Sequence, residues 1–328
     1  MKKLNILITA LGGDIGGNIV NILLEQNDVE LCIIGTDIRE NIFSVDKVDR
    51  FYKVLRTDSP EFEKQIVKIV EDNNIDIIIP VSENEIIWFN ENLELFKHLE
   101  LEILINNSKI INTFLNKLKT SRELTNIDIL TPKTFLLSEY TSQLDFPLIL
   151  KSNYSIKSKD IYVVKNQIQL DYLKMSIKNH SDYIIQQYVG SIDEEYTTTV
   201  YKDEKRFEVI TFKRKLTGGM TSFATICNEE ILVKYAKKIV ESFDLNGSIN
   251  IQSRKVDNQF YIFEINPRFS STVFIRNHFG FQDVLWWINN KDKNRTLELQ
   301  NIKVKTFGNA VLGYQYKFFN SEKSDENR

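Results

Sequence analysis

The sequence is short of cysteine and of excess charge of either sign. Only two cysteines, Cys32 and Cys227, occur among 328 residues. They are too few for a disulfide framework and fit a reducing compartment. Lys and Arg number 42 against 45 Asp and Glu, a formal net charge of -3. So even a balance gives no support to bulk nucleic-acid binding or to a basic membrane-docking surface.

Long apolar segments are also missing. No apolar run approaches the ~20 residues of a membrane span, and the run that begins at Leu4 breaks at Thr9–Gly13, too early for a secretory signal. There is no internal repeat or low-complexity tract. We therefore expect a cytoplasmic protein of roughly two domains, because domains average ~150 residues.

The first third of the chain alternates between strand and helix patterns. Leu4–Thr9, Leu31–Thr36 and Ile75–Ile79 are continuous apolar runs that predict buried strands. Between them, apolar stripes predict two helices. The first has Ile19, Val20, Leu23 and Leu24 on one face; the second, with Ser59 as N-cap and Pro60 as its first residue, has Phe62, Ile66, Ile69 and Val70. This alternation predicts an α/β domain with a parallel sheet over residues 1–110.

From about residue 130 the pattern changes to closely spaced strands. They are predicted over Lys133–Leu137, Pro147–Lys151, Ile161–Lys165, Tyr183–Tyr188, Glu195–Tyr201, Arg206–Lys213, Gly247–Val256 and Gln259–Ile265. Helices are predicted over Asn166–Asn179 and Glu229–Phe243. Strands that follow one another so closely predict an α+β region with antiparallel sheets.

The first domain offers an outline of a dinucleotide site. A turn containing Gly12, Gly13, Gly16 and Gly17 follows the first strand, and Asp37 ends the second. The spacing departs from G-x-G-x-x-G, and such a turn also serves tight packing alone. The one Tyr-x-x-x-Lys spacing, Tyr201 to Lys205, lies in a charged hairpin connection. An NAD(P)-dependent oxidoreductase or epimerase is therefore the weaker interpretation.

The chemistry concentrates in the hairpin of residues 247–269. Glu264 and Asn266 are two residues apart on one strand and share a face, and Gln252 lies on the partner strand. A carboxylate and two amide oxygens form a ligand set suited to Mg²⁺. Arg268, two residues further on, is suited to phosphoryl oxygens. Glu264 is the one carboxylate of this set. Its replacement by Gln would keep the shape and volume of the side chain, so we expect little loss of folded stability.

This hairpin resembles the magnesium-binding hairpin of the ATP-grasp superfamily, in its carbamoyl-phosphate-synthetase-like branch. Segments upstream are similar to further ATP-grasp motifs in the same order: Asn116–Thr120 with Leu130–Thr134, Phe146–Lys151, Ile184–Gly190 and Glu195–Thr197. The resemblance implies an ATP-grasp domain over residues 111–320, with a nucleotide-binding small subdomain at about 130–190 and a metal-binding large subdomain at about 191–320. A polar tail, 321–328, follows.

The resemblance also implies roles for individual residues. Lys117 and Lys151 would bind phosphates, Gln187 and the backbone of Tyr188 and Val189 would contact adenine, and Glu195 the ribose. Gln252, Glu264 and Asn266 would hold Mg²⁺, with Mn²⁺ as an alternative, and Arg268 would stabilise the transferred phosphoryl group. Arg276 would face an acceptor carboxylate. Arg214, in the basic segment Lys213–Met220, would hold the triphosphate or an anionic acceptor.

One segment departs from the family pattern. The loop Ser152–Asp160 contains no glycine where relatives are glycine-rich, so hydroxyls such as that of Ser158 would have to contact phosphate instead.

The expected function is an ATP-dependent carboxylate–amine or carboxylate–thiol ligase acting on small molecules, with no nucleic-acid or membrane partner; a homodimer is an open alternative. A non-catalytic ATP or metabolite sensor is the rival interpretation.

Overall fold

The computed structural model describes residues 3–27, 29–154, 161–217, 220–292, 296–297, 299 and 302–312. Its first sheet is parallel throughout and has the strand order β3-β2-β1-β4-β5. The strands are β1 Leu4–Ile8, β2 Leu31–Asp37, β3 Arg50–Lys53, β4 Ile77–Ile79 and β5 Glu102–Ile103, and the intervening helices are α1 Asp14–Leu24, α2 Glu61–Asp72 and α3 Glu83–Glu91. The predicted parallel α/β domain is confirmed, with β3 and β5 added.

The apolar stripes of its helices are mostly as predicted. All four stripe residues of α2 are buried, although Pro60 rather than Ser59 is the N-cap. In α1 the prediction for Leu24 is wrong, because Leu24 is the last helical residue and is 52% exposed. Ile15 and Ile22 are buried in that helix instead.

A four-stranded antiparallel sheet follows, reached through two helices. The helices are α4 Ser108–Phe114 and α5 Lys117–Asn126, and the strands are β6 Thr134–Leu136, β7 Leu148–Ser152, β8 Ile161–Val164 and β9 Tyr183–Gln187. Their order is β6-β9-β7-β8. Helix α6, Gln167–Ser176, covers this sheet through Leu170.

The third sheet has six antiparallel strands in the order β14-β13-β10-β11-β12-β15. They are β10 Glu195–Lys202, β11 Phe207–Thr217, β12 Met220–Cys227, β13 Gly247–Val256, β14 Gln259–Asn266 and β15 Asn309–Val311. Three helices accompany it: α7 Glu230–Phe243, α8 Val273–His278 and α9 Asp283–Lys291. The predicted change from parallel to antiparallel sheets is confirmed.

Two apolar clusters hold the third sheet in place. Helix α7 packs Ala236 and Ile239 against Ile251 and Ile265 on one face. A second cluster joins β1 and α1 of the first domain to β11, α8 and α9, with Trp287 fully buried within it. The face opposite α7 is left to polar side chains of β10, β13 and β14. Among the described residues, no helix is long and apolar enough to cross a bilayer.

Candidate functional site

A cavity of about 300 Å³ lies between the four-stranded and six-stranded sheets. Strands β7 and β9 supply one wall, β10, β13 and β14 supply the other, and α5 contributes its first residue. Most of the residues predicted from sequence to bind nucleotide or metal line this one space: Lys117, Lys151, Gln187, Val189, Glu195, Gln252 and Glu264.

Lys117 begins α5, and a buried asparagine directly after β7 fixes its position. The backbone carbonyl of Asn153 accepts from the Lys117 N–H at 2.8 Å, and the Asn153 side chain accepts from the Leu118 N–H at 3.0 Å. The positive end of the helix therefore reinforces the Lys117 ammonium, an arrangement that favours phosphate. The sequence analysis missed Asn153, since nothing in its local pattern marks it.

Lys151 lies on β7 and is only 5% exposed. Its Nζ lies 3.5 Å from the carbonyl oxygen of Phe263 and 5.6 Å from the centre of that ring. Burial lowers the pKa of Lys151 to about 8; Glu264 opposes this shift, and the nearby cations Lys117 and Arg254 add to it. A desolvated ammonium with so little compensation binds an entering anion strongly.

A β-bulge on β14 turns two consecutive residues toward the cavity. Gln252 pairs with Glu264, but the next residue, Ser253, pairs with Ile262, so Phe263 is the extra residue. In a regular strand only one of Phe263 and Glu264 could face this space; here both line it. The cavity thus gains an aromatic wall beside its carboxylate.

Glu264 is ionised and paired in the structure. Its Oε1 lies 3.7 Å from the Nζ of Lys117. Burial opposes ionisation, but the charges of Lys117 and Lys151, followed by those of Arg268 and Arg214, hold the pKa of Glu264 below its usual value. Two cations and a carboxylate from three separate segments therefore meet at one end of the cavity.

The predicted metal ligands lie together on the face of the hairpin opposite α7. Gln252 is directly opposite Glu264, and Asn250 is directly opposite Asn266. Gln252 and Glu264 line the cavity, whereas Asn266 is 4% exposed. The Asn250 oxygen accepts from the Thr197 hydroxyl at 2.6 Å. A carboxylate kept ionised beside amide oxygens is a donor set that fits Mg²⁺.

Glu195 and Arg214 meet in a buried cluster. The Glu195 carboxylate accepts from Arg214 at 3.0 Å and from Arg254 at 3.2 Å, and Glu195 and Arg214 are each about 5% exposed. Glu195 lines the cavity, so contact with a ribose stays a prediction, but its oxygens already have partners. Arg254 was missed by sequence analysis, although its position two residues after Gln252 places it on the same face.

The predicted adenine-binding segment follows β9 along the rim of the cavity. Gln187 exchanges hydrogen bonds with the backbone of Lys133, and Val189 lines the cavity. The Tyr188 ring stacks on the Arg254 guanidinium at 5.4 Å. Apolar side chains from Pro132, Ile149, Ile192 and Leu216 line the same region, which suits a flat aromatic base.

Arg268 links the metal hairpin to the first domain. Its Nη2 donates to Glu83 at 2.8 Å and its Nη1 donates to the Phe269 carbonyl at 2.8 Å. Glu83 is the first residue of α3, directly after the Ser82 N-cap. The guanidinium is therefore held at the end of the hairpin by a residue 185 positions away in sequence.

The structure does not bring Arg276 to the cavity. Arg276 is 0% exposed, and its guanidinium makes two 2.8 Å bonds to Asp283 and further bonds to Ser270 and Thr272. A group enclosed in this way cannot reach an acceptor carboxylate in this conformation. Arg276 instead belongs to a buried network that joins α8 to α9, whereas the sequence analysis expected it to face an acceptor carboxylate.

Three predicted segments lie partly or wholly outside the described residues. Ser158 and residues 155–160 of the glycine-free loop are among them, as are Gly218, Gly219 and the tail 321–328. The predicted roles of Ser158 and of the loop therefore stay predictions.

The glycine-rich turn of the first domain is filled by the chain's own groups. Asp37 accepts from the Gly12 N–H at 2.8 Å through one oxygen and from Arg39 at 2.9 and 3.2 Å through the other. A Cβ on Gly12 would lie 2.5 Å from Ile42 and 2.9 Å from Asp37. The glycine thus serves close packing, and Asp37 has no oxygen left unpaired for a ribose.

Comparisons with known proteins agree with this geometry. Residues 180–304 match the family model described as an ATP-grasp in the biosynthetic pathway with Ter operon, and residues 6–104 match the PylC-like N-terminal domain. The biotin carboxylase domain of Hydrogenobacter thermophilus 2-oxoglutarate carboxylase, solved with magnesium ADP and bicarbonate, superposes over 94% of this chain and 74% of its own at a TM-score of 0.72 and 14% identity. Residues 180–304 thus match an ATP-grasp family model, and the chain shares the fold of the ATP-grasp structures it superposes on.

Two curated relatives match only part of this chain. An uncharacterised protein of Methanocaldococcus jannaschii is 28% identical over 52% of this chain and 44% of its own. The D-alanine–D-alanine ligase of Campylobacter lari is 25% identical over 56% of each chain. The chain spans about half the length of the curated relatives it matches.

Proposed function

We propose that the protein is an ATP-dependent, ADP-forming ligase that joins a small carboxylate to an amine through an acyl phosphate. The observation that carries this proposal is the meeting of Lys117, Lys151 and Glu264 in one cavity whose other end is apolar. Two buried cations beside a half-buried carboxylate suit a metal-bound polyphosphate, and the apolar end suits a nucleobase.

The cavity gives the nucleotide one orientation. The base lies between Ile149 and Phe263, with its polar edge at the backbone of Val189. The phosphates lie toward the ammonium groups of Lys117 and Lys151, near the N-terminus of α5.

The reaction needs no nucleophilic side chain. A carboxylate oxygen of the acceptor attacks the γ-phosphorus, the bond from that phosphorus to the β–γ bridging oxygen breaks, and ADP leaves. The amine nitrogen then attacks the acyl carbon, the carbon–oxygen bond to phosphate breaks, and the amine proton passes to solvent. Lys117, Lys151 and Arg268 neutralise the charge that shifts between phosphoryl oxygens, and the protein contributes positioning.

Mg²⁺ is proposed as the resident metal, with Glu264 and Gln252 as its nearest protein ligands and Asn266 beside them. When bound, it would neutralise charge on the β- and γ-phosphates. The proposed partners are small-molecule carboxylates and amines, and the proposed location is the cytoplasm, which supplies ATP.

The decisive measurement is ADP release with Mg·ATP against a panel of small carboxylates and amines. We expect release above the ATP-only background with at least one pair. Thermal melts should show stabilisation by Mg·ATP, about 2.7 kcal/mol at a hundredfold excess over Kd, and none by NADPH. Stabilisation by Mg·ATP with no ADP release from any pair would favour the sensor.

A further inference from the structure

A second cavity, of about 250 Å³, lies in the first domain beyond the filled glycine turn. Its walls are the loops that follow β1, β2, β3 and β4, so it occupies the carboxyl edge of the parallel sheet at the point where strand order reverses. Ligands of open α/β sheets bind in this crevice. Asp37 and Gly12 are hydrogen-bonded to each other next to α1, and most of the rest of the lining comes from the loops after β2, β3 and β4.

The chemistry of this space is cationic on one side and apolar on the other. Arg39 and Arg56 line it, together with the apolar side chains of Ile38, Leu55 and Phe62. Arg39 uses its Nε on Asp37 at 3.2 Å. Arg56 lies 3.7 Å from Asp58, whose side chain is 77% exposed. A solvated pair of that length holds its arginine weakly, so an entering anion competes for the guanidinium with little opposition.

Two carboxyl groups also border the cavity, and neither opposes an anion strongly. Asp37 carries the bonds from Gly12 and Arg39 already described. Glu85 is 7% exposed and accepts from the Ser82 hydroxyl at 2.6 Å. Burial raises the pKa of Glu85, and its Oε2 also accepts from the Ser82 N–H at 3.2 Å, so this carboxyl group is already held by two donors.

One segment of the cavity wall is linked to the metal hairpin by an ion pair. Ser82 and Asn84 line the cavity, and the residue between them, Glu83, holds Arg268 at 2.8 Å. Arg268 in turn is two residues from Asn266 of the metal hairpin. A ligand in this cavity therefore lies beside the element that carries phosphoryl-transfer groups.

We propose that this cavity holds the body of the acceptor substrate, and that the acceptor is a small carboxylate with a second anionic group, which Arg39 and Arg56 bind. The proposal rests on the ligase function proposed above. One carboxylate reaches the hairpin beside Arg268, and the second anion and any short apolar spacer occupy the cavity.

The test uses two probes, glutarate as a dicarboxylate and phosphoglycolate as a phosphorylated carboxylate, titrated calorimetrically into the full chain without ATP. At least one should bind the wild type. Arg56→Gln should weaken that binding about tenfold or more, the effect of losing one charge-assisted contact. Arg122→Gln, an exposed arginine on α5, is the matched control and should change nothing. Mg·ATP affinity should be equal in all three proteins, and thermal melts should show that each is folded.

Failure has distinct forms. If neither probe binds the wild type at millimolar concentrations, or if Arg56→Gln binds as well as Arg122→Gln, the assignment of this cavity is wrong. If a probe binds through Arg56 but no amine yields ADP release, the cavity assignment stands as a binding site and the ligase proposal fails.

Discussion

The two crevices of this protein invite opposite interpretations from sequence and from structure. The first has the glycines and terminal aspartate of a nucleotide site, yet Asp37 is satisfied by Gly12 and Arg39. The cleft between the two antiparallel sheets contains no glycine-rich turn among its described residues. There Lys117 and Lys151 are buried and Glu264 is half-buried; Glu264 pairs with Lys117, and the pKa values of Lys151 and Glu264 are both shifted.

The two sites differ in whether their polar groups are satisfied without a ligand. Both carboxylate oxygens of Asp37 already accept hydrogen bonds from the chain's own groups, Gly12 and Arg39. In the cleft, burial opposes the charge of Lys151 and of Glu264 alike, a cost that folding alone has no reason to retain. Buried charges from distant segments that meet at a cavity are therefore better evidence for ligand binding than a glycine pattern.

The largest expected effect is that of Glu264→Gln, which tests the cleft. ADP release should fall several hundredfold or more, about 3 to 4 kcal/mol of transition-state stabilisation, because the one carboxylate of the metal set is lost. The structure also changes the stability expectation drawn from sequence. Lys117 and Lys151 would lose their shared counter-charge, so stability should fall by about 3 kcal/mol.

The measurement is ADP release across a Mg²⁺ titration, with thermal melts of each protein. Glu204→Gln, an exposed glutamate in the hairpin connection after β10, is the control and should behave as wild type. Near wild-type turnover of Glu264→Gln at low Mg²⁺ would remove the metal role from this hairpin.

A second substitution tests whether Arg276 has a structural or a catalytic role. Arg276→Met should destabilise the fold by about 3 kcal/mol, because Asp283 would be left buried and unpaired. Combining it with Asp283→Leu should restore much of that loss. Turnover of the double variant, measured below its melting temperature, should match wild type. A large loss of kcat in a fully folded double variant would return Arg276 to the acceptor role expected from sequence.

Much of the site's framework could be predicted from sequence because it depends on strand periodicity. Glu264 and Asn266 share a face, Gln252 opposes them, and the strand of Lys151 lies where its apolar pattern places it. These are consequences of the two-residue repeat of a β-strand.

What could not be predicted depends on contacts between distant segments. The bulge that turns Phe263 toward the cavity has no sequence signature here. Asn153 anchors α5 only because β7 ends beside it. The burial of Arg276 follows from the meeting of α8 and α9 with the start of β13, where Ser248 donates to Asp283 at 2.7 Å.

Two neighbouring glycines, Gly12 and Gly13, test how tightly the turn of the first domain is packed. Gly12→Ala should destabilise the fold by about 1 to 3 kcal/mol, because its Cβ would meet Ile42 and Asp37 inside 3 Å. Gly13→Ala meets its nearest atom at 3.4 Å, so it should cost about 0.5 kcal/mol or less. Urea melts of both variants decide this. Equal stability of the two would mean that the turn is not packed as described.

The smallest effect, and the most specific, is the pH dependence of nucleotide binding through Lys151. Its pKa of about 8 lies below that of the unfolded lysine, so folding releases protons between about pH 8 and 10.5 and stability rises with pH across that window. Binding of phosphate should restore the proton. ATP affinity should therefore fall about fivefold from pH 8 to 9, with uptake of about half a proton per ATP at pH 8. Calorimetry in buffers of different ionisation enthalpy measures both the affinity and the proton uptake.

Two variants serve as the test and its control. Lys151→Arg, which stays charged, should abolish the pH dependence, and Lys119→Arg, exposed on α5, should keep it. Affinity that is flat from pH 7 to 9 in the wild type would show that the Lys151 ammonium is not the group that meets the phosphates.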